Sequence, residues 1–296
     1  HQMTSPWALR LHIRGFYAII LQYDRTGIFG MPEEDGGREE MKIKSALMGL
    51  ALAGILVLAG CSDKNDGEKF VVGFDAEFPP YGFVDEDGEY TGFDLDLAEE
   101  VAERNGWELV KQPIDWDAKD MELKSGAIDC IWNGFTINGR EDKYTWTVPY
   151  VNNSQVFVTA KDSGIASQKD LAGKIVAVQK DSSALAALNS DDNKALAASF
   201  SKLIEFGDYN TAFLELEMGS VDVIAMDIGV AKAQIDSRKD GAYIILNDYL
   251  SEEQYGVGFL LGNEELRDKV QETLFEMLED GTFMKIAKEW DLQDFV

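Results

Sequence analysis

The chain has 296 residues, with 54 acidic and 27 basic side chains, two cysteines and a formal net charge of −27. This length corresponds to one or two domains, and an apolar fraction of 45% excludes wholesale disorder. The acidic surplus argues against a nucleic-acid partner, because phosphate binding requires a basic surface, and two cysteines exclude an extensive disulfide framework.

Histidine is confined to the start of the chain. His1 and His12 both precede residue 61, and the first sixty residues carry equal numbers of acidic and basic side chains. The remaining chain therefore holds the whole net charge and no histidine, which excludes Ser-His and Cys-His catalysis and histidine-ligated metals there. We predict no metal site and no cofactor.

Residues 41–60 have the pattern of a secretory signal peptide. The segment begins Met-Lys-Ile-Lys, continues in an apolar run and ends in small residues. The apolar run is shorter than the ~20 residues that a membrane-spanning helix needs. Leu-Ala-Gly-Cys at 58–61 resembles the lipobox of bacterial lipoproteins, which predicts acylation of Cys61, a lipid anchor outside the cytoplasm and a polar tether at 61–68.

The first forty residues do not fit this pattern, because a signal peptide acts from the N-terminus. We predict that residues 1–40 are a non-native or upstream-translated extension and that the protein starts at Met41. The alternative is a genuine additional segment, with residues 9–21 lying at a membrane surface.

Strands and helices alternate after the tether. Residues 69–74 form a short apolar run typical of a buried strand, and residues 128–132 form another. Between them, we predict an amphipathic helix that Asp94 caps and that Gly106 ends. This alternation predicts an α/β fold.

The chain also contains an internal repeat. The pattern Leu-x-x-Gly-x-[Ile/Val]-Asp-x-Ile occurs at 123–131 and again at 216–224. Each copy follows a matching strand, Lys-Phe-Val-Val at 69–72 and Lys-Ile-Val-Ala at 174–177. Two matches in the same order predict two similar α/β lobes.

Polar residues follow the four matched strands. In open α/β sheets, ligands bind beyond the carboxyl ends of the strands. If the lobes face each other, these ends line a single cleft. The residues at the ends are Asp75, Asn133 with Gly134, Gln179 with Lys180, and Met226 with Asp227.

Five further segments together carry a family resemblance. They are Phe-Pro-Pro-Tyr at 78–81, Gly-Phe-Asp-Leu-Asp-Leu-Ala-Glu-Glu-Val-Ala at 92–102, Gly-Phe-Thr-Ile at 134–137 followed by Arg140, Pro-Tyr at 149–150, and Gln-Tyr-Gly-Val-Gly-Phe at 254–259. Over residues 68–296 the chain resembles the solute-binding proteins of polar amino acid ABC transporters, family 3 of the bacterial extracellular solute-binding proteins.

The resemblance implies a two-lobe periplasmic-binding-protein fold of type II, in which each lobe is a sheet flanked by helices. Lobe 1 would comprise 69–150 plus 255–296, and lobe 2 would comprise 151–254. Two hinge strands would join them, near 151–154 and near 252–256.

The resemblance also implies the function. The protein would be a monomeric, lipid-anchored receptor in the periplasm or at the cell surface, and it would deliver a polar L-amino acid to an ABC permease. Binding would shift an equilibrium between open and closed lobes, and the permease would recognise the closed form.

Two groups of residues would hold the backbone of the amino acid. By resemblance, the Arg140 guanidinium and the N–H groups of Thr136 and Ser183 bind the α-carboxylate. Asp227 pairs with the α-ammonium, assisted by Gly134 and Thr136.

Both charged assignments have a simpler alternative. Arg140 lies one residue closer to Gly134 than the commonest family spacing, which leaves open a surface ion pair with Glu141 or Asp142. Asp227 is alternatively a solvated loop residue or a helix cap.

Specificity for the ligand side chain would come from a further set of residues. Phe78 and Trp116 match positions at which family members sandwich the ligand between aromatic rings, which also suits cations. Gln179 and Met226 differ from the common family residues, so the amino acid is not identified. The full set is Asp75, Glu77, Phe78, Trp116, Asn133, Gln179 and Met226, with Ser182 beside Ser183.

Two other functional classes are alternatives. Some proteins that share the fold resemble dehydratases of prephenate-like or arogenate-like acids, for which Glu77 or Asp75 would be the general acid. A sensor domain of a receptor kinase or channel would need a transmembrane helix next to the lobes. We expect none, because the chain ends in a polar segment at Val296.

Overall fold

The computed structural model describes residues 67–238 and 241–296. The predicted extension (1–40), the signal peptide (41–60) and Cys61 therefore lie outside the described residues, and so does the tether except for its last two residues.

The elements of the described region follow one another along the chain as the alternating pattern predicts. In chain order they are β1 (Lys69–Phe74), β2 (Glu77–Phe78), β3 (Gly82–Val84), β4 (Tyr90–Thr91), α1 (Phe93–Asn105), β5 (Glu108–Pro113), α2 (Lys119–Ser125), β6 (Cys130–Ile131), β7 (Tyr144–Trp146), β8 (Val151–Ala160), β9 (Ile175–Gln179), α3 (Ser183–Asn189), α4 (Lys194–Ser199), β10 (Lys202–Phe206), α5 (Tyr209–Glu217), β11 (Val223–Asp227), α6 (Ile228–Asp236), β12 (Tyr243–Ile245), β13 (Ser251–Tyr255), β14 (Gly258–Leu260), α7 (Glu264–Asp280) and α8 (Thr282–Glu289).

The strands form two mixed sheets, one in each lobe. The first sheet has the order β5-β1-β6-β14-β7, in which β1 is parallel to β5 and β6 while β14 is antiparallel to its neighbours. The second has the order β10-β9-β11-β8-β12, with β9 parallel to β10 and β11. Strands β2, β3 and β4 make a small antiparallel sheet beside the first. The prediction of a two-lobe α/β fold is confirmed.

The repeated motif performs the same structural task in both lobes. The Asp129 carboxylate accepts a hydrogen bond from the backbone N–H of Val71 (2.7 Å), and the Asp222 carboxylate accepts one from Ile175 (2.8 Å). In each lobe the aspartate therefore fastens its strand to the start of the neighbouring parallel strand. Gly126 and Gly219, which precede these aspartates, have the positive φ angles that let each helix end and the chain turn into the strand.

The N-cap of helix α1 differs from the one predicted from the sequence, which was Asp94. Its N-cap is Gly92, and Asp94 lies in the first turn, where it is fully buried and bonds to groups outside the helix. Gly106 ends the helix in the left-handed conformation, as predicted. The acidic residue was correctly placed near the helix N-terminus, but its partners lie elsewhere in the chain.

Two antiparallel strands connect the lobes. β8 pairs with β13, and this pairing extends from Gln155 opposite Ser251 to Val151 opposite Tyr255. We propose that the lobes divide along these strands, with 69–150 and 255–296 in one lobe and 151–254 in the other. Within the described residues, no helix has the length and apolar character required to cross a bilayer.

Candidate ligand-binding site

A small cavity of about 10 Å³ lies where the lobes meet. Its lining combines aromatic rings, hydroxyls, amides, one guanidinium and one carboxylate from both lobes. The lining residues are Phe78, Trp116, Asn133, Gly134, Thr136, Arg140, Gln179, Ser182, Ser183 and Asp227.

Three of the predicted ligand-binding residues, Asp75, Glu77 and Met226, do not line this cavity. Asp75 is nearly buried, and its carboxylate accepts a hydrogen bond from Gln179 Nε2 of the other lobe (2.7 Å). It therefore lies directly behind a lining residue. Met226 has no exposed surface and packs in the hydrophobic core.

The loop after β6 is held by a buried carboxylate. Asp94 accepts hydrogen bonds from the backbone N–H of Gly134 (2.6 Å) and from the Tyr150 hydroxyl (2.8 Å). Burial raises the pKa of Asp94 to about 7, against the opposing effect of these hydrogen bonds. Gly134 has a positive φ angle, and a Cβ there would lie 2.8 Å from the Phe78 ring. Glycine is therefore required at this wall of the cavity.

Arg140 folds back over the loop that carries it. Its guanidinium lies over the Phe135 ring, 5.2 Å from the ring centre, and donates to the carbonyl oxygens of Thr136 and Asp181 (3.2 Å each). Among the described residues, it forms no ion pair with Glu141 or Asp142. The guanidinium reaches the cavity with further N–H donors, despite the shorter spacing from Gly134.

Asp227 lies in a buried network of hydrogen bonds. Its Oδ1 accepts from Asn153 Nδ2 (2.7 Å), Gln155 Nε2 (2.7 Å) and the Tyr255 hydroxyl (2.5 Å). Burial, followed by the nearby Glu253 carboxylate, raises the pKa of Asp227 to about 7. Asp227 is therefore neither a solvated loop residue nor a side-chain helix cap.

The hydrogen-bond partners of Asp227 were not predicted from the sequence. Asn153, Gln155 and Glu253 are at least nine-tenths buried, although they are polar and lie on the connecting strands. One signal was visible in the sequence, because polar residues at 153 and 155 alternate within a strand that is otherwise suited to the core. Their partners became identifiable only when the strands were paired.

Aromatic rings support two sides of the cavity. Phe78 contacts Tyr209 across the lobes, with 6.1 Å between ring centres. Trp116 packs edge-on against Phe135 at 5.5 Å and carries the Lys119 ammonium above its ring. Both lining aromatics are thus fixed by neighbours rather than exposed.

Three carboxyl groups lie close together around Asp75, the hydrogen-bond partner of Gln179. Burial raises the pKa of Asp75, with the Asp208 and Asp115 charges adding to the effect. Burial and the adjacent Asp208 carboxyl also raise the pKa of Glu77, to about 7. Asp75 and Glu77 come from one lobe and Asp208 comes from the other, so this concentration of negative charge spans the interface.

Ion pairs link the lobes beside the cavity. Lys119 pairs with Asp181, and Asp117 pairs with Lys180, so each lobe contributes one acid and one base. The Lys119 side chain is only 2% exposed, and this burial lowers the pKa of its ammonium. We call these four residues the closure pairs.

The comparisons with known proteins identify the family. Residues 70–293 match the family model of the bacterial extracellular solute-binding proteins, family 3. The chain belongs to this family. The prediction made from the sequence motifs is therefore confirmed, and the family name places its members outside the cytoplasm.

Similar proteins include named amino-acid-binding proteins. The L-cystine-binding protein TcyJ of Escherichia coli is 27% identical over 83% of this chain and 95% of its own length. The arginine-binding extracellular protein ArtP of Bacillus subtilis is 28% identical over 79% of this chain and 92% of its own. A Streptococcus pneumoniae ABC uptake transporter substrate-binding protein, solved with bound histidine, is 33% identical, with a TM-score of 0.72 over 75% of this chain and 92% of that one.

Proposed function

We propose that this family 3 protein is a receptor that binds a polar L-amino acid between its lobes and delivers it to an ABC permease. One observation carries the proposal: the cavity described above is lined by both a carboxylate, Asp227, and a guanidinium, Arg140. A free amino acid presents one ammonium and one carboxylate, and therefore requires both partners. The names of the cystine-, arginine- and histidine-binding relatives support this choice.

The α-carboxylate would bind to Arg140. Its guanidinium retains N–H donors beyond the two it uses within the protein, and it can pair with a carboxylate through two of them. The backbone N–H groups of Thr136 and Ser183 would complete this half of the site. Ser182 caps the helix that Ser183 begins, which orients that N–H.

The α-ammonium would bind to Asp227. This carboxylate uses Oδ1 for its three hydrogen bonds within the protein. A positive ligand group beside it would offset the cost of burying its charge, which the raised pKa reflects. The carbonyl of Gly134 and the hydroxyl of Thr136 would accept the remaining ammonium protons.

We propose that the preferred side chain is basic. Phe78 and Trp116 would lie on either side of it, as both rings line the cavity. Beyond them, Gln179 donates to the Asp75 carboxyl, which lies close to those of Glu77 and Asp208, and this concentration of acidic groups favours a positive ligand group. A basic ligand would therefore place one charge at Asp227 and the other near Gln179.

The remaining parts of the proposal concern location and chemistry. We propose that Cys61 is acylated and that the lipid anchors the protein outside the cytoplasm. We also propose that the protein binds its ligand without transforming it, because its named relatives are binding proteins.

A thermal-shift panel tests the function. The panel contains the twenty L-amino acids, L-ornithine, L-cystine, D-arginine and prephenate. A ligand present at about 100 times its Kd raises the free energy of unfolding by about 2.7 kcal/mol. We expect the largest shift with a basic L-amino acid and none with D-arginine. A shift with prephenate alone, accompanied by its conversion, would instead support the dehydratase alternative.

The closure pairs give a second prediction. Asp181→Asn should weaken ligand binding about tenfold, because closing the lobes would then bury the Lys119 ammonium without its partner. Asp181 has a positive φ angle, which Asn also tolerates, so the backbone is preserved. Isothermal titration with the ligand found by the panel measures the change.

The control for this variant is Asp191→Asn, which removes an exposed carboxylate from the same lobe. It should leave the affinity unchanged. Equal affinities of Asp181→Asn and the unmodified protein would show that the pair of Lys119 and Asp181 does not contribute to closing.

A further inference from the structure

The pairing of the connecting strands brings a second carboxylate to the site. Asn153 lies opposite Glu253 on β13, and Gln155 lies opposite Asp227 on β11. Side chains opposite each other, or two apart on one strand, lie on the same face of a sheet. The two acids therefore flank β8 on one face, with the two amides between them.

Glu253 and Asp227 share hydrogen-bond donors. Glu253 Oε1 accepts from Asn153 Nδ2 (2.7 Å) and from Gln155 Nε2 (2.8 Å). The same two nitrogens donate to Asp227 Oδ1 at 2.7 Å each. The two acidic oxygens thus lie within two hydrogen-bond lengths of each other. We call Asp227 and Glu253 the carboxylate pair.

Two buried acceptors in the network around the carboxylate pair lack a donor within the described part of the chain. Asn153 Oδ1 and Gln155 Oε1 are buried and have no donor among the described residues. The amide of Gln155 has two protons but lies within reach of three acceptors, the third being the Ser183 hydroxyl. Asp227, Thr136 and Ser183 carry this network to the cavity, where an ammonium would bring it further protons and a positive charge.

The neighbouring ionisable groups do not supply that charge. The Tyr255 and Tyr81 hydroxyls face the pair from the first lobe, and Tyr209 faces it from α5. Burial raises the pKa of all three well above its usual value, so they remain neutral. The guanidinium that lines the cavity, Arg140, is directed to the carbonyls of Thr136 and Asp181.

Glu253 also orients two hydroxyls that line the cavity. Thr136 Oγ1 lies 2.8 Å from Glu253 Oε1, and Ser183 Oγ lies 3.2 Å from it. A carboxylate only accepts, so the hydroxyl protons point toward Glu253. Thr136 Oγ1 can then accept from another donor, and Ser183 Oγ, which already accepts from Gln155 Nε2 (2.9 Å), retains one lone pair. Thr136 comes from the first lobe and Ser183 from the second, so Glu253 joins both lobes at the hinge.

We propose that Glu253 is a positioning residue for the ligand ammonium: with Asp227 it gives the closed cleft a surplus of buried negative charge, and it turns the Thr136 and Ser183 hydroxyls into ammonium acceptors. This inference rests on the proposed function. It assigns recognition of the ammonium to a group that spans the hinge, rather than to Asp227 alone.

Closing the lobes over the carboxylate pair removes water from two adjacent acids, which is unfavourable unless a ligand ammonium or a proton enters with them. Without ligand, acid should therefore favour the closed form. The raised pKa of Asp227 agrees with this direction.

Two probes that differ only in the ammonium test the proposal. They are L-arginine and 5-guanidinopentanoate, which lacks the α-amino group. Glu253→Gln in the full chain should weaken L-arginine binding about 10- to 100-fold, the usual effect of losing a charge-assisted hydrogen bond. Binding of 5-guanidinopentanoate should change less than about threefold. Equal losses for both probes, or no loss for L-arginine, would overturn the proposal.

The matched control is Glu252→Gln on the same strand, where the side chain is exposed. It should alter neither affinity. Thr136→Val is a second variant, which keeps both carboxylates but removes one oriented hydroxyl. It should also reduce binding of L-arginine more than binding of 5-guanidinopentanoate, and an equal reduction would contradict the proposal.

A measurement without ligand separates this inference from the proposed function. Met121 and Met218 are exposed sites in the two lobes. Spin labels attached at Met121→Cys and Met218→Cys report lobe closure through the distance between the two labels. Cys61→Ser prevents unwanted labelling, and Cys130 is buried. The closed fraction should increase as the pH is lowered from about 8 to about 5.5 in this labelled protein, and should increase less when Glu253→Gln is added, because burial alone still raises the pKa of Asp227. The same pH response with and without Glu253→Gln would overturn the inference, even if no amino acid binds.

Discussion

Asp227→Asn should lower the affinity for the amino acid by about 100-fold or more, since the ligand ammonium would lose its buried ionic partner. Asn keeps an oxygen that can accept the hydrogen bonds of Asn153, Gln155 and Tyr255, so the local fold is preserved. Isothermal titration calorimetry measures the loss, with the amino acid that gives the largest shift in the thermal-shift panel as the ligand.

The same substitution should stabilise the protein in the absence of ligand. The pKa of Asp227 rises from 3.8 to about 7 on folding, so the stability it contributes is present at low pH and lost as the pH rises between these values. At about pH 8, Asn should raise the free energy of unfolding by about 1–2 kcal/mol. This gain is smaller than the pKa shift alone implies, because opening of the lobes already rehydrates part of the Asp227 charge in the folded protein. Urea unfolding measures this.

A lower ligand affinity together with a higher free energy of unfolding is the result expected of a binding residue. Asp236→Asn, at an exposed carboxylate on α6, should change neither quantity and serves as the control. A loss of stability together with a loss of affinity would show that Asp227 is structural instead.

Asp94→Ala should lower the free energy of unfolding by about 3 kcal/mol, because it leaves the Gly134 N–H and the Tyr150 hydroxyl buried without an acceptor. Ligand affinity should fall as well, since the loop from Gly134 to Arg140 forms one wall of the cavity. Urea unfolding at about pH 5.5 and about pH 8 measures the stability.

Asp94→Asn is the matched control for this substitution. Its amide oxygen can accept from Gly134, and the Tyr150 hydroxyl can accept from its amide nitrogen. The pKa of Asp94 rises from 3.8 to about 7, so its ionisation opposes folding as the pH rises through this range. Asn should remove that part of the pH dependence with little loss at about pH 5.5. A loss as large as that of Ala would argue against the hydrogen-bonding role.

The sequence predicted the parts of the site that lie within recognisable local patterns. Strand ends followed by polar residues placed Asn133, Gly134, Gln179 and Asp227 at the cleft, and the structure brings all four to one cavity. Their roles in binding remain predictions. Met226 shows the limit of this reasoning, because alternation along a strand directs it into the core although it neighbours Asp227.

Asp94 shows how a correct local pattern can lead to an incorrect role. An acidic residue at the beginning of a helix is commonly a cap. Gly92 has that position here, and Asp94 instead reaches a loop 40 residues further along the chain. Only the packing of α1 against that loop determines its partners.

The sequence by itself determined the family, the two-lobe α/β fold and the repeated Leu-x-x-Gly-x-[Ile/Val]-Asp-x-Ile unit. These features depend on periodicity, glycine turns and motifs, which act over a few residues. Only the tertiary structure determined which polar groups share hydrogen-bond donors. Glu253 and Asp227 are 26 positions apart in the chain and become neighbours only because β13 and β11 both pair with β8. Their effect on each other depends on burial between two lobes, and that is a property of the closed fold rather than of any segment.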